Sequence, residues 1–267
     1  MAAHEHAGTR DPLDDGSHCT DLTTAVRHCA SVRWLSDSDM VAREYATTER
    51  LAARRLDRTA WLRGEDEPWR LALELVAEAR PRRVLDAGCG NADFAALVAA
   101  PEVVCVDASP AAVEQARSRG FRAEVAEIER LPFADGEFDV VTCNWVLYHL
   151  PDVDVGLAEI ARVLRPGGRF VGIYNCRDHL AELWREVLES AWDENAFDCE
   201  SGREILRRHF RSVERHDAVT AAMWETRDAA QRFLDTFAEM IGPLTAPAGP
   251  YPFKATRRNC VLLAETG

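Results

Sequence analysis

Residues 83–93, Arg-Val-Leu-Asp-Ala-Gly-Cys-Gly-Asn-Ala-Asp, constrain the fold of this chain more than any other stretch. Val84 and Leu85 are apolar and strand-forming, and their run ends in an acid, Asp86. Gly88 and Gly90 let the backbone turn sharply and approach a ligand with no Cβ in the way. Asn91 stands where it would cap a helix through Phe94, Leu97 and Val98, and the N-terminus of such a helix offers N–H groups to a polar ligand.

A dinucleotide is the usual occupant of a strand–glycine turn–helix unit, and two residues argue against it here. The dinucleotide pattern wants a third glycine for close helix–strand packing, and this chain has Asp93 at that place. Asp86 would repel a pyrophosphate and suits a cation instead. S-adenosylmethionine carries a sulfonium and an ammonium group and no phosphate.

Downstream, strands and helices alternate, which predicts a parallel α/β sheet. Strands are expected at 84–87, 103–106, 121–126, 138–144 and 169–174, with a helix opened by Ser109-Pro110 and another over 153–164. Residues 166–168, Pro-Gly-Gly, read as the turn that stops the second helix. Residues 1–30 lack periodicity and are expected to form a flexible tail. Residues 31–80 are expected to form an N-terminal helical lid, with one helix over 37–62 and a second begun by Pro68-Trp69. Within 176–257 a helical cap is expected, with helices at 179–192, 201–209 and 227–241, a short strand at 212–216 and a loop over 242–253. A closing strand at 258–265 completes a domain spanning 81–267.

Several segments, in order, resemble the class I S-adenosylmethionine-dependent methyltransferases of small-molecule type. They are Asp86-Ala87-Gly88-Cys89-Gly90, Asp107, Glu127-Ile128-Glu129-Arg130-Leu131-Pro132-Phe133, 138–141 with Leu147-Tyr148-His149-Leu150-Pro151-Asp152, and Leu164-Arg165-Pro166-Gly167-Gly168. The resemblance covers about 81–175. It implies a Rossmann-like, seven-stranded, mostly parallel sheet and S-adenosylmethionine as cofactor, held by Asp86, Gly88, Gly90, Asp107, Ala108, Glu127, Ile128 and Asn144. Asp107 would accept the ribose hydroxyls, a device that dehydrogenases share. Glu127, in place of the family's Asp, would reach toward the adenine amino group. Tyr45 and Arg54 of the lid would bind the methionine carboxylate, although a solvated surface helix explains the same residues.

The reaction implied is an enzymatic methyl transfer to a small organic acceptor, with O-methylation in bacterial secondary metabolism, such as antibiotic biosynthesis, as first choice. N- or C-methylation, or a non-catalytic cofactor-binding partner subunit, are the alternatives. His149 is the candidate general base, because imidazole titrates near neutral pH; a structural, capping histidine is the competing reading. Trp145, Tyr148, His149, His179 and Trp184 are the candidate acceptor-pocket residues. Trp192, Phe233, Phe237 and Met240 extend that set into a roof, and plain core packing accounts for the same spacing.

Composition narrows the partners. A net charge of -13 over 267 residues argues against nucleic acid and anionic membrane as partners. No apolar run reaches the ~20 residues of a membrane span, and residues 1–8 lack a secretory core. A cytoplasmic monomer or homodimer is expected. The eight cysteines then need no disulfide framework, and Cys105, Cys143 and Cys260 read as small core residues. The His and Cys residues near the N-terminus match no zinc spacing, so no metal is expected.

Overall fold

The computed structural model describes residues 39, 41, 43, 45, 67–188 and 197–267, with the backbone alone at 239–240. Its centre is a seven-stranded sheet built from β1 (Arg83–Ala87), β2 (Glu102–Asp107), β3 (Arg122–Val125), β4 (Phe138–Thr142), β5 (Leu164–Asn175), β6 (Ser212–Trp224) and β7 (Phe253–Glu265). Their order across the sheet is β3-β2-β1-β4-β5-β7-β6. β3, β2, β1, β4 and β5 run parallel, and β7 runs antiparallel to both of its neighbours. The chain leaves β1 for β2 on one side and returns to β4 on the other. That reversal of strand order opens a crevice beyond the carboxyl ends of β1 and β4, where ligands of such sheets bind.

The central strands are apolar along their length because both faces are covered. On one face α1 (Glu67–Glu78) buries Trp69, Ala72, Leu75 and Val76 against Val84, Val140, Ile173 and Val261. On the other, α3 (Val153–Val163) buries Leu157, Ile160 and Val163 against Leu85, Val141, Phe170 and Leu262. α2 (Pro110–Ser118) begins as the sequence predicts: Ser109 caps it through its hydroxyl and Pro110 occupies the first turn. Asp152 caps α3 by accepting from the N–H groups of Asp154 and Val155.

Three expectations need correction. The helix predicted after the glycine turn is a single 3-10 turn, Ala95–Leu97, and Asn91 does not cap it. Only residues 88–101 join β1 to β2, and Pro101 closes that stretch. Gly90 and Ala92 lie in the left-handed region at φ 51° and 54°, which leaves little chain for helix. Next, Pro166-Gly167-Gly168 does not end before the strand. β5 starts at Leu164, and residues 165–168 form an irregularity between the pairs Phe138↔Leu164 and Val140↔Arg169. Gly167 adopts φ 70° there, and the Thr266 hydroxyl receives the Gly168 N–H and donates to the Arg165 carbonyl. Finally, β6 and β7 are far longer than the predicted strands at 212–216 and 258–265. They pair from Ser212↔Glu265 to Trp224↔Phe253. The added stretch contains Thr-Ala-Ala-Met and Lys-Ala-Thr-Arg, weak strand formers that hold their place by packing rather than propensity.

The cap comprises α4 (Ala181–Leu188), α5 (Cys199–Leu206), α6 (Arg227–Asp235) and α7 (Ala238–Ile241). A disulfide joins Cys199 of α5 to Cys260 of β7, with Cα atoms 5.8 Å apart. This corrects the sequence reading of Cys260 as a plain core thiol: α5 lies across β7 and brings Cys199 to it. Cys105 and Cys143 are buried thiols, as expected. Among the described residues no helix is long and apolar enough to cross a membrane, and no cluster of three potential metal ligands occurs.

Candidate active site at the carboxyl ends of the strands

The turn after β1 is held by backbone. The N–H groups of Gly88 and Cys89 both donate to the Val106 carbonyl, at 2.8 and 3.0 Å. Gly88 has φ 74°, and a Cβ there would lie 2.4 Å from Val146 Cγ2. Both conditions exclude any other residue without strain. Asp86 sits beneath this turn, 2% exposed. One carboxylate oxygen accepts from the Thr142 hydroxyl at 2.7 Å. The other, Oδ2, is buried with no hydrogen-bond partner among the described residues. Burial pushes its pKa up to about 6, with the Asp107 charge adding to the rise and the Thr142 hydroxyl and Ala95 N–H opposing it. A buried, under-bonded carboxylate of this kind is stabilised by an approaching cation.

Asp107, at the end of β2, accepts from the Gly90 N–H and the Ser109 N–H, each at 2.9 Å. Burial raises its pKa while these two donors oppose the rise. It therefore ties the glycine turn to the N-terminus of α2, and each oxygen keeps a second lone pair. Ala108, next to it, is exposed.

Beyond β4 the chain reverses at Trp145, which adopts φ 57°, a strained conformation of the kind found at functional sites. Asn144 stays with the sheet, because its Oδ1 accepts the Ile173 N–H at 3.1 Å and extends the β4–β5 ladder. Its Nδ2 is buried without a partner. Trp145 donates from its indole to Asn175 Oδ1 at 2.9 Å. The reversal sets Val146 over Gly88 and opens a 3-10 turn, Leu147–His149. His149 Nε2 lies 2.8 Å from the Tyr45 hydroxyl in a hydrogen bond. Tyr45 and Tyr148 both pack edge-on against the imidazole, with centroids 5.1 and 4.4 Å away. The Tyr45 carbonyl accepts from the Ser109 hydroxyl at 2.9 Å. Residue 45 thus bridges the ends of β2 and β4.

The structure brings Asp86, Gly88, Gly90, Asp107, Asn144, Trp145, Tyr148, His149 and Tyr45 to the carboxyl ends of β1, β2 and β4. It places other predicted residues differently. Glu127 is exposed, and Ile128 packs its side chain into the core under α3. His179 is bonded through Nδ1 to the Arg258 carbonyl at 3.0 Å, and burial lowers its pKa to about 4, so it is neutral at pH 7. Trp184 lies in the core of the cap with Trp224, Phe233 and Phe237, the packing role that the roof reading competed with. Arg54, Trp192, most of the predicted helix over 37–62, and the side chain of Met240 lie outside the described residues. Of that helix, Asp39, Val41 and Arg43 are helical. Two site residues escaped the sequence reading. Thr142 bonds Asp86, and its signal was a hydroxyl inside the apolar run Val140-Val141-Thr142-Cys143. Ser109 holds Tyr45, and its role as a helix cap concealed the second bond.

The sheet order and this site define a Rossmann-like methyltransferase fold. Residues 85–172 match a family model described as a methyltransferase domain. The demethylmenaquinone methyltransferase of Deinococcus radiodurans is 41% identical over 119 residues, which cover 40% of this chain and 49% of that protein. That of Mycolicibacterium vanbaalenii is 38% identical over 136 residues, covering 50% and 56%. In structure, the YcgJ protein of Bacillus subtilis matches with a TM-score of 0.53 at 18% identity, over 74% of this chain and 98% of that one. The chain spans about half the length of the curated relatives it matches. With sheet, site and match in agreement, it belongs to the class I S-adenosylmethionine-dependent methyltransferases. The family's cofactor fits the residues present: Asp86 Oδ2, buried and unpartnered, suits a ligand bearing two cationic groups.

Proposed function

We propose that the chain transfers a methyl group from S-adenosylmethionine to a small organic acceptor bearing an acidic hydroxyl, with His149 as the base. When bound, S-adenosylmethionine supplies a methyl already activated on a sulfonium. Asp86 would balance its positive charge, the Gly88–Gly90 turn would admit its close approach, and Asp107 would take the ribose hydroxyls on its remaining lone pairs. Glu127, Ile128 and Ala108 would border the adenine, and Asn144 Nδ2 the methionine end. The segment carrying Tyr45 would act as the lid, and Trp145 and Tyr148 would flank the acceptor.

The observation that carries this reading is the Tyr45–His149 hydrogen bond beside the glycine turn. It fixes an imidazole where a transferred methyl must be met. Positioning supplies much of the catalysis of such a displacement, and a positioned base contributes typically 10²–10⁴-fold.

Oxygen was the first target expected from sequence. The relatives named for demethylmenaquinone add weight to a ring carbon conjugated with the hydroxyl, and deprotonating that hydroxyl activates either atom. Methyl-labelled S-adenosylmethionine, incubated with the protein and fractionated extract of the source cell, tests the proposal. Label in a small molecule supports it, and the NMR spectrum of the product names the methylated atom. Label confined to protein or nucleic acid overturns the acceptor class.

A further inference from the structure

The resemblance assigns the Tyr45 hydroxyl to the methionine carboxylate, but in the structure that hydroxyl is engaged with His149 Nε2 at 2.8 Å. The nitrogen that would take a proton directly from an acceptor is therefore reached through a phenol. We propose that Tyr45 is a catalytic residue, a relay that carries the acceptor's proton to His149; this rests on the methyltransferase reading above.

Three observations support the relay. A phenol hydroxyl is at once donor and acceptor, so the oxygen that donates to His149 keeps lone pairs for an acceptor's O–H. The imidazole is fixed between two phenol rings, which holds Nε2 on the Tyr45 oxygen rather than leaving it to rotate. Residue 45 is also fixed from its backbone, because its carbonyl accepts from Ser109, the neighbour of a residue bonded to Asp107 through its N–H. The relay is thus anchored to the end of β2, where the ribose would lie, and it assembles only when the segment bearing Tyr45 sits across the site.

The step balances as follows. The acceptor O–H bond breaks and its proton passes to the Tyr45 oxygen, while the Tyr45 proton passes to His149 Nε2, leaving an imidazolium and a neutral phenol. The electron pair released on the acceptor forms the new bond to the methyl carbon. The pair of the broken carbon–sulfur bond stays on sulfur, which becomes a neutral thioether. The tautomer required before the step has the proton of His149 on Nδ1 and a bare Nε2.

Tyr45→Phe removes the relay oxygen and keeps the ring. Three measurements decide. S-adenosylhomocysteine binding, followed by calorimetry, is expected to change less than twofold; a tenfold loss would return Tyr45 to the methionine carboxylate and overturn the relay. Nitrogen-15 NMR of histidine-labelled protein, with His149→Gln as the assignment control, is expected to show a bare Nε2 on His149 whose resonance shifts in Tyr45→Phe. A protonated Nε2, or an unmoved resonance, overturns it without need of an acceptor. Transfer of labelled methyl to the small-molecule fraction is expected to fall about 10²-fold, with the remaining rate rising in proportion to hydroxide because the acceptor must ionise unaided. Unaltered transfer by Tyr45→Phe overturns the relay and leaves the methyltransferase reading intact. Absence of transfer by the wild-type protein overturns both.

Discussion

The two halves of the sheet are built on different terms. In β3-β2-β1-β4 every strand is parallel, and the carboxyl ends carry acids and turns in uncommon backbone conformations: Asp86, Gly88, Asp107, Trp145. In β5-β7-β6 the pairing is antiparallel across a long two-stranded ribbon, fastened by a disulfide and covered by helices with their own aromatic core. The first half leaves polar atoms unsatisfied near its ends, as with Asp86 Oδ2 and Asn144 Nδ2. The second supplies the frame against which the first is held. Stability is concentrated in one half and binding strain in the other, a division that substitutions can break or sharpen.

The largest effect is expected at Gly88. Valine there meets Val146 and must adopt φ 74°, so Gly88→Val should abolish S-adenosylhomocysteine binding by calorimetry. Retained binding would mean that the glycine turn is not the cofactor platform. The frame gives the next effect. The Cys199–Cys260 bond closes a chain separation of 61 residues, for which loop entropy predicts about 4 kcal/mol. Reduction should therefore lower the melting temperature, while S-adenosylhomocysteine affinity changes less than twofold. A parallel loss of affinity would show that the halves are not separable in this way.

Asp86 sharpens the contrast through pH. Its folded pKa of about 6 lies above the ordinary 3.8, so the folded protein holds that proton more tightly than the unfolded chain. The associated stability is present in full below about pH 4 and is lost as pH rises through about 6, on the order of 3 kcal/mol in all. Asp86→Asn should thus make the ligand-free protein more stable at pH 7 in urea titrations and flatten that part of its pH profile, while weakening cofactor affinity. A variant less stable at pH 7 would refute the account. The smallest effect is expected at Asp107→Ala, which removes an acceptor of two backbone N–H groups. Weakening of S-adenosylhomocysteine binding by ~2 kcal/mol, roughly 30-fold, is expected. Near-normal affinity would leave Asp107 with its structural bonds alone.

The same division explains what could be read from the sequence. The parallel half was legible because its strands are apolar throughout and its turns need particular residues: Gly88 for a positive φ, Ser109-Pro110 for a helix start, Asp107 at a strand end. The ribbon was not, because Ala221, Ala222, Lys254 and Thr256 hold strand geometry through pairing with each other, and no local pattern announces that. Asn91 misled for a related reason. A good capping residue promised a helix that the short crossover to β2 could not contain. The Tyr45–His149 bond joins residues 104 apart in the chain, so sequence could nominate each partner but not their meeting.

The missing helix after β1 also bears on what the crevice turns away. A full helix at that point would aim a partial positive charge at the glycine turn, the feature that favours phosphate groups. Here a 3-10 turn of three residues stands in its place, with the carboxylates of Asp86 and Asp107 at the adjacent strand ends. A cell holds abundant adenosine compounds, most of them anionic. With its attraction for phosphate withdrawn and two negative charges in reserve, the crevice discriminates by repulsion as well as by fit, and the nucleotides that share an adenosine with the cofactor are poor competitors for its place.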